Sequence, residues 1–213
     1  MPKKRKSKIE KRALDMGKAI LFSAPSGCGK TTIINELMAS ATTDSFDPQS
    51  LTFSISATTR APRGEEQNGK DYYFLSREEF MQRVEREEFL EWEEVYSGTC
   101  YGTLKSEIER IWSEGKTIVF DVDVNGGCNI KKYFGADALS IFVMPPSVEV
   151  LEQRLRHRGT DSEEAIAKRL GRSAAELNQA PQFDVTIVND DLRRAVDETR
   201  NVIEQFLRSG KNK

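Results

Sequence analysis

A glycine-rich turn near the N-terminus constrains the fold more than any other part of the chain. The apolar run Lys18–Ser23 predicts a buried strand, and the helical periodicity that begins at Lys30 predicts a helix to about Ala39. Between them lies the sequence Ala24-Pro-Ser-Gly-Cys-Gly-Lys-Thr31. In this order of strand, loop and helix, backbone N–H groups and the helix N-terminus can cradle phosphate groups. The segment therefore predicts a phosphate-binding loop.

The first residue of this loop departs from the usual pattern, because Ala24 stands where the pattern has glycine. Pro25 follows it, and a residue before proline already favours the extended conformations that alanine adopts without strain. We therefore expect the loop to keep its function, with Lys30 reaching the transferred phosphoryl group and the Thr31 hydroxyl on magnesium. The alternative, an ordinary turn before a helix, accounts less well for the flanking strand and helix.

The rest of the chain alternates between apolar runs and helical patterns, apart from one central segment. Such alternation predicts a parallel, doubly wound α/β sheet. The central segment, residues 50–103, has polar-apolar alternation and an Asn68-Gly69 hairpin signal, which predicts an inserted, partly antiparallel subdomain. The later strands are predicted at 117–122, 139–144 and 185–188, and the later helices at 148–156, 161–177 and 193–207.

The charge distribution separates a basic N-terminus from an acidic body. Residues 1–12 contain seven Lys/Arg and one Glu, whereas residues 13–213 carry a net charge of −8. Charged termini are usually solvated tails, so we expect a flexible arm and no nucleic-acid partner. The predicted divisions are a basic arm at 1–16, a core at 17–49 and 104–208 with a helical lid at 154–172, the insertion at 50–103, and a tail at 209–213.

Composition excludes several classes of protein. No apolar run approaches the roughly 18 residues of a membrane span, so we expect a soluble protein without a membrane partner. Three widely spaced cysteines do not form a fully paired disulfide framework, which favours a reducing, cytoplasmic compartment. His157 is the sole histidine, which argues against His-rich zinc sites and a Ser-His-Asp triad.

A second candidate anion site lies in the insertion. Arg60 and Arg63 supply two planar guanidinium groups three residues apart, and the Tyr72 hydroxyl could add a donor. Surface arginine pairs are commonly just solvated, so this cluster alone is weak evidence. Together with the phosphate loop it predicts two phosphate-bearing substrates.

Eight motifs in this order make the chain resemble the guanylate kinase family over about residues 18–207. They are P-S-G-x-G-K-T at 25–31, T-T-R-x-P-R at 58–63, N-G-K-D-Y at 68–72, E-F-L-E-W at 88–92, Y-G-T at 101–103, D-V-D at 121–123, R-G-T at 158–160 and V-N-D at 188–190.

The resemblance implies transfer of the ATP γ-phosphoryl to GMP within purine nucleotide metabolism. It implies that Glu91 accepts hydrogen bonds from guanine and that Thr103 donates to the guanine carbonyl, so the base is read by complementary polarity. Without the family resemblance, the simpler interpretation is that Glu91 is a solvated acid and that Tyr72 is a half-buried strand residue. The GMP-binding residues implied are Ser56, Arg60, Arg63, Tyr72, Glu91, Tyr101, Thr103 and Asp123.

The resemblance also implies the ATP side of the site. Lid arginines would close on the transferring phosphates, although a solvated basic helix face explains the same residues. The metal ligands implied for Mg²⁺ are Thr31 and Asp121, which ends a predicted strand. The implied catalytic residues are Lys30, Arg60, Arg154, Arg158 and Arg169, and the implied ATP-binding residues are Ala24, Pro25, Ser26, Gly27, Cys28, Gly29, Lys30, Thr31, Thr32, Asn189 and Asp190.

Two other functions remain as alternatives to a guanylate kinase. Some scaffold proteins contain domains of this type that bind partners without catalysis, but those typically lose phosphate-loop or acceptor-site residues that this chain keeps. A kinase for AMP would lack the guanine-reading pair of Glu91 and Thr103. The oligomeric state, monomer or dimer, and the reactivity of Cys28 stay open.

Overall fold

The computed structural model describes residues 17–44, 46–96, 98–157 and 163–209. Within these ranges, none of the helices is both long enough and apolar enough to cross a bilayer. The strands are β1 Ala19–Ser23, β2 Leu51–Phe53, β3 Ala57–Thr58, β4 Tyr73–Phe74, β5 Phe89–Tyr96, β6 Thr99–Leu104, β7 Thr117–Asp121, β8 Ala138–Met144 and β9 Val185–Val188. The α-helices are α1 Lys30–Met38, α2 Arg77–Glu85, α3 Lys105–Ser113, α4 Val124–Phe134, α5 Val148–His157, α6 Glu163–Leu177 and α7 Leu192–Arg208.

A five-stranded sheet with the order β2–β7–β1–β8–β9 carries the phosphate loop. β1 pairs in parallel with β8, and β8 pairs in parallel with β9. Every residue of β1 is buried, as a strand covered on both faces requires. The predicted parallel α/β class is therefore confirmed, and the predicted strands and helices differ from the observed ones mainly at their ends.

The chain divides into two compact units, which we call the small and the large unit. The small unit comprises residues 52–118 with Gly17 and Lys18, and the large unit comprises residues 19–51 and the chain from residue 119 onward. A four-stranded sheet with the order β4–β3–β6–β5 lies in the small unit. Its buried core contains Ala57, Phe80, Phe89, Cys100 and Leu104.

The small unit extends further along the chain than the predicted insertion, which ended at residue 103. The reason is Glu107 of α3, which is 2% exposed. Its carboxylate accepts hydrogen bonds from the Ile55 N–H at 3.0 Å and from the Tyr73 hydroxyl at 3.0 Å. Burial alone would raise the pKa of Glu107, but these donors and Arg110 lower it and keep the group ionised. α3 is thereby joined to the small unit, whereas the sequence placed it in the core.

The predicted Asn68-Gly69 hairpin is wrong. The two strands that flank this turn, β3 and β4, are parallel, and β3 finds its antiparallel partner in β6. Gly69 still occupies the left-handed region with φ of 77°, and its N–H donates to the Tyr72 carbonyl at 2.8 Å. The dipeptide therefore marks a tight turn, but pairing with a distant strand decides the sheet order.

Candidate active site

The phosphate loop enters α1 through two glycines with positive φ. Gly27 has φ of 96°, and Gly29, the residue that caps α1, has φ of 87°. A Cβ on Gly29 would lie 2.2 Å from Nδ2 of Asn189, so a side chain cannot be accommodated there without displacing Asn189. The two glycines thus combine an unusual backbone conformation with close packing.

Ala24 does not strain the loop, because Glu87 is the only non-glycine residue with positive φ in the described ranges. We expect Ala24→Gly to leave kcat/KM within about twofold and to lower the free energy of unfolding by about 0.4–1 kcal/mol, since glycine adds freedom to the unfolded chain. Steady-state kinetics and urea unfolding measure both. Gly29→Ala is the matched control and should lower activity strongly. A large gain of activity in Ala24→Gly would show that alanine strains the loop.

Three polar side chains converge at the end of the loop and the carboxyl end of β7. The Lys30 ammonium lies 2.5 Å from Oδ1 of Asp121 and donates to the Val122 carbonyl at 2.7 Å. The Thr31 hydroxyl donates to Oδ2 of Asp121 at 3.2 Å. A cation, a hydroxyl and a carboxylate are therefore assembled where the predicted loop would present nucleotide phosphates.

The oxygens of this cluster fit a magnesium ion bound together with nucleotide. Mg²⁺ prefers hard oxygen ligands and is usually held by one or two carboxylates plus substrate phosphates. Thr31 and Asp121 supply a hydroxyl and a carboxylate in direct contact. Over the described residues, no group of three or more His, Cys, Asp and Glu side chains could form a cage made only of protein ligands.

Asn189, after β9, braces the phosphate loop. It is 6% exposed, and its Nδ2 donates to the Cys28 carbonyl at 2.9 Å. Its own N–H donates to the Met144 carbonyl, and its carbonyl accepts from Nη2 of Arg154 at 2.9 Å. The predicted ATP-binding Asn189 and catalytic Arg154 are thus brought to the loop, with Asn189 in a structural role that the sequence did not indicate.

The predicted lid arginine Arg169 and the predicted ATP-binding Asp190 do not share the contacts of Arg154 and Asn189. Nη1 of Arg169 on α6 donates to the Ser26 hydroxyl at 3.3 Å, so α6 reaches the phosphate loop. Arg158 lies outside the described residues. Asp190 is ion-paired with Arg194 at the start of α7, and hydrogen bonds from Arg194 and the Asp191 N–H lower its pKa.

Cys28, the cysteine inside the loop, is protonated at neutral pH. Burial raises the pKa of its thiol to about 12, and the nearby charge of Arg154 opposes this only in part. Desolvation of the thiolate therefore outweighs the nearby positive charges of Arg154 and Lys30.

In the small unit, the predicted guanine-reading residues face each other across two antiparallel strands. Glu91 of β5 is directly opposite Thr103 of β6, and the Thr103 hydroxyl donates to Oε1 of Glu91 at 2.7 Å. Gly102 permits the close approach of these strands, because a Cβ there would lie 2.8 Å from the Glu91 carbonyl oxygen. The buried Thr103 hydroxyl thus orients the Glu91 carboxylate, which can accept hydrogen bonds from a planar polar molecule.

Arg60 lies among the aromatic rings of the small unit. Its guanidinium is 4.8 Å from the centre of the Tyr72 ring, and Tyr72 packs edge-on against Tyr101 with ring centres 6.1 Å apart. Nη1 and Nη2 donate to the two carboxylate oxygens of Glu66 at 2.6 and 2.7 Å. The predicted clamp residues Arg60, Tyr72 and Tyr101 are therefore together, and they include an acid that the sequence did not single out.

Glu66 and Arg60 stabilise each other's charged forms. Hydrogen bonds from Arg60 and from the Arg63 N–H lower the pKa of Glu66 from 4.5 to about 2, and the pKa of Arg60 is raised chiefly by its hydrogen bond to Glu66. Because the pKa of Glu66 is lower in the folded than in the unfolded protein, the ion pair stabilises the folded state fully above about pH 4.5. That contribution is lost as the pH falls toward 2.

The three remaining predicted GMP-binding residues make other contacts. Arg63 is exposed, and its N–H donates to Glu66 at 2.8 Å. Ser56 is half-buried, and its carbonyl accepts from the Tyr73 N–H. Asp123 belongs to the large unit, where its side chain caps α4 by accepting from the Gly126 N–H at 2.8 Å.

The chain is similar to known proteins both in sequence and in fold. The guanylate kinase family model matches residues 16–206. A guanylate kinase of Porphyromonas gingivalis is 54% identical over 192 residues, covering 90% of this chain and 99% of the relative. One of Bacteroides thetaiotaomicron is 55% identical over 191 residues, covering 90% of each chain.

A solved structure shows the same likeness. The crystal structure of guanylate kinase from Anaplasma phagocytophilum superposes with a TM-score of 0.68 at 30% identity, covering 93% of this chain and 88% of the other. The predicted fold and enzyme class are confirmed by these relatives, whereas the role of each site residue stays a prediction. The chain belongs to the guanylate kinase family of ATP:GMP phosphotransferases.

Proposed function

We propose that the phosphate loop of the large unit binds ATP and that the arginine-tyrosine cluster of the small unit binds the acceptor, GMP. The observation that carries this proposal is the convergence of Lys30, Thr31 and Asp121 at the end of the loop. A structural turn before a helix has no need of a cation, a hydroxyl and a strand-end carboxylate in contact. A phosphoryl donor site needs all three.

On the donor side, each residue has a distinct role. Lys30 stabilises the negative charge of the transferring phosphoryl group, and Arg154 and Arg169 add positive charge from α5 and α6. Arg158 is assigned to the same group by resemblance. Thr31 and Asp121 hold Mg²⁺, which supplies charge neutralisation at the nucleotide phosphates. The remaining loop residues and Asp190 are assigned to ATP binding by resemblance, as is Asn189, which in this structure acts on the loop through the Cys28 carbonyl.

On the acceptor side, phosphate and base are bound by different residues. Arg60, Arg63, Tyr72 and Tyr101 hold the GMP phosphate, because two guanidinium groups and two hydroxyls supply the donors that a dianion requires. Glu91 accepts from the N–H groups of guanine. Thr103, assigned to the guanine carbonyl by resemblance, is buried here and donates its hydroxyl proton to Glu91, so in this geometry it orients that carboxylate. Ser56 and Asp123 are assigned here by resemblance.

A coupled assay that compares GMP with AMP tests the proposal. A site whose Glu91 carboxylate accepts hydrogen bonds from the N–H groups of guanine loses those bonds with adenine. We therefore expect kcat/KM for GMP to exceed that for AMP by a factor on the order of 10³ or more. Equal use of both nucleotides would refute the guanine-reading assignment, and no ADP formation with either would refute the donor site.

We infer a cytoplasmic enzyme of purine nucleotide metabolism with ATP and GMP as its small-molecule partners. Free cysteines support a reducing compartment, since Cys28, Cys100 and Cys128 are all unpaired. The net charge of −8 over residues 13–213 argues against binding of nucleic acid by the body of the protein.

A further inference from the structure

The Glu66 carboxylate contacts both predicted phosphate-binding arginines, and the proposed phosphoryl-transfer mechanism gives these contacts no role. A turn at Arg63–Glu66, closed by a hydrogen bond from the Glu66 N–H to the Arg63 carbonyl at 3.1 Å, returns Glu66 toward Arg60. Gly64 occupies the left-handed region within this turn with φ of 55°. The carboxylate then contacts the Arg60 guanidinium twice and the Arg63 N–H once.

The contacts occupy one defined edge of the Arg60 guanidinium. Glu66 bonds Nη1 and Nη2, and the Ala61 carbonyl accepts a further hydrogen bond from Nη1 at 2.9 Å. The other edge consists of Nε and the second hydrogen of Nη2. In the part of the chain described, the buried Nε of Arg60 has no hydrogen-bond partner.

An unpaired buried donor is unfavourable unless a ligand satisfies it. Nε is covered in this structure, so a phosphate oxygen reaches it only after the groups over that edge have moved, and it would then pair this donor without displacing Glu66. Arg60 would then bridge two anions, with Glu66 on one edge and phosphate on the other. Because a free arginine side chain samples many rotamers, the bidentate pair fixes the guanidinium before the phosphate arrives.

We propose that Glu66 is a positioning residue of the acceptor site, which holds Arg60 and the Arg63 backbone in place to receive the GMP phosphate. The inference deepens the proposed function and rests on Arg60 binding that phosphate. In the opposite role, Glu66 would compete with the phosphate for Arg60, and its removal would change the affinity for GMP in the opposite direction. Removing a competitor tightens GMP binding, whereas removing a positioning group weakens it.

Calorimetric titration with GMP and with guanosine, which lacks the phosphate, distinguishes the two roles. In Glu66→Gln we expect the Kd for GMP to rise about tenfold or more, because one charged contact to Arg60 is lost, while the Kd for guanosine stays within about twofold. KM for ATP should not change. The neighbouring exposed residue provides the matched control, since Glu65→Gln removes the same charge and should leave both affinities unchanged.

A double-mutant cycle with Arg60→Gln shows whether Glu66 acts through Arg60. In that background, adding Glu66→Gln should change the Kd for GMP by less than about twofold, because the group it positions is gone. If Glu66→Gln also loses guanosine binding, the Glu66→Asp variant, which keeps the carboxylate, is measured in its place. The ratio of its GMP affinity to its guanosine affinity then decides between the two roles.

The outcomes that overturn the inference are separate from those that overturn the acceptor site. An unchanged or lower Kd for GMP in Glu66→Gln, or a full effect that persists without Arg60, refutes the positioning role. Arg60→Gln with unchanged GMP affinity instead refutes the phosphate clamp itself.

Discussion

Lys30→Ala should keep its fold and lower kcat at least about a hundredfold, since it removes a preorganised charge at the transferring phosphoryl group. The Lys30 ammonium lies 2.5 Å from Asp121, the proposed metal ligand, and so is already held at the end of the loop. Loss of this partly exposed ion pair should lower Tm by no more than about 2–4 °C. Coupled-assay kinetics at saturating ATP and GMP, together with thermal unfolding, measure both quantities.

The matched control for Lys30 is Lys132→Ala, which removes an exposed lysine from α4 in the same unit. It should leave kcat within about twofold, as expected for a solvated surface charge. A folded Lys30→Ala variant with nearly unchanged kcat would show that another group stabilises the transferring phosphoryl, and the phosphate-loop assignment would then be wrong.

The second large effect is expected for Glu91→Gln, which should lower kcat/KM for GMP at least tenfold. Oε1 of Glu91 already accepts from Thr103 at 2.7 Å, so the carboxylate is oriented before the base arrives. Glutamine keeps the size but presents an amide donor toward the donors of guanine. Hydrogen bonds to charged groups contribute about 1.5–3 kcal/mol each, and about 1.4 kcal/mol corresponds to tenfold.

The same charge change at Glu85, an exposed residue at the end of α2, is the control for Glu91 and should have little effect. Both variants are compared with GMP and with AMP. If Glu91→Gln used GMP as well as the parent enzyme while still refusing AMP, another group would read the base.

Features that depend on neighbours in the chain could be predicted from the sequence. The phosphate loop is one, because its strand, glycines and helix lie within residues 18–39. The strand Val185–Val188 is another, since its bounds follow from a short apolar run. Asp121 could be placed near Lys30 because the carboxyl ends of parallel strands meet at one edge of the sheet.

Features that depend on pairing with one particular distant strand, or on burial by distant residues, could not be predicted. Asn68-Gly69 has a strong local turn preference, but the pairing of β3 with β6 involves residues more than forty positions apart. Glu107 looks like an ordinary helix acid until the fold buries it against Ile55 and Tyr73. Glu66 stands among other charged residues, and only the turn at Gly64 reveals that it returns to Arg60.

The hydrogen bond from Asn189 to Cys28 has a consequence for how the enzyme is made on the ribosome. The loop lies among the first thirty residues or so, but the side chain that braces it is 161 positions later. A growing chain therefore carries the complete phosphate-loop motif long before the braced loop can form. Competence to hold the donor nucleotide in this geometry is expected only after β9 and Asn189 have left the exit tunnel.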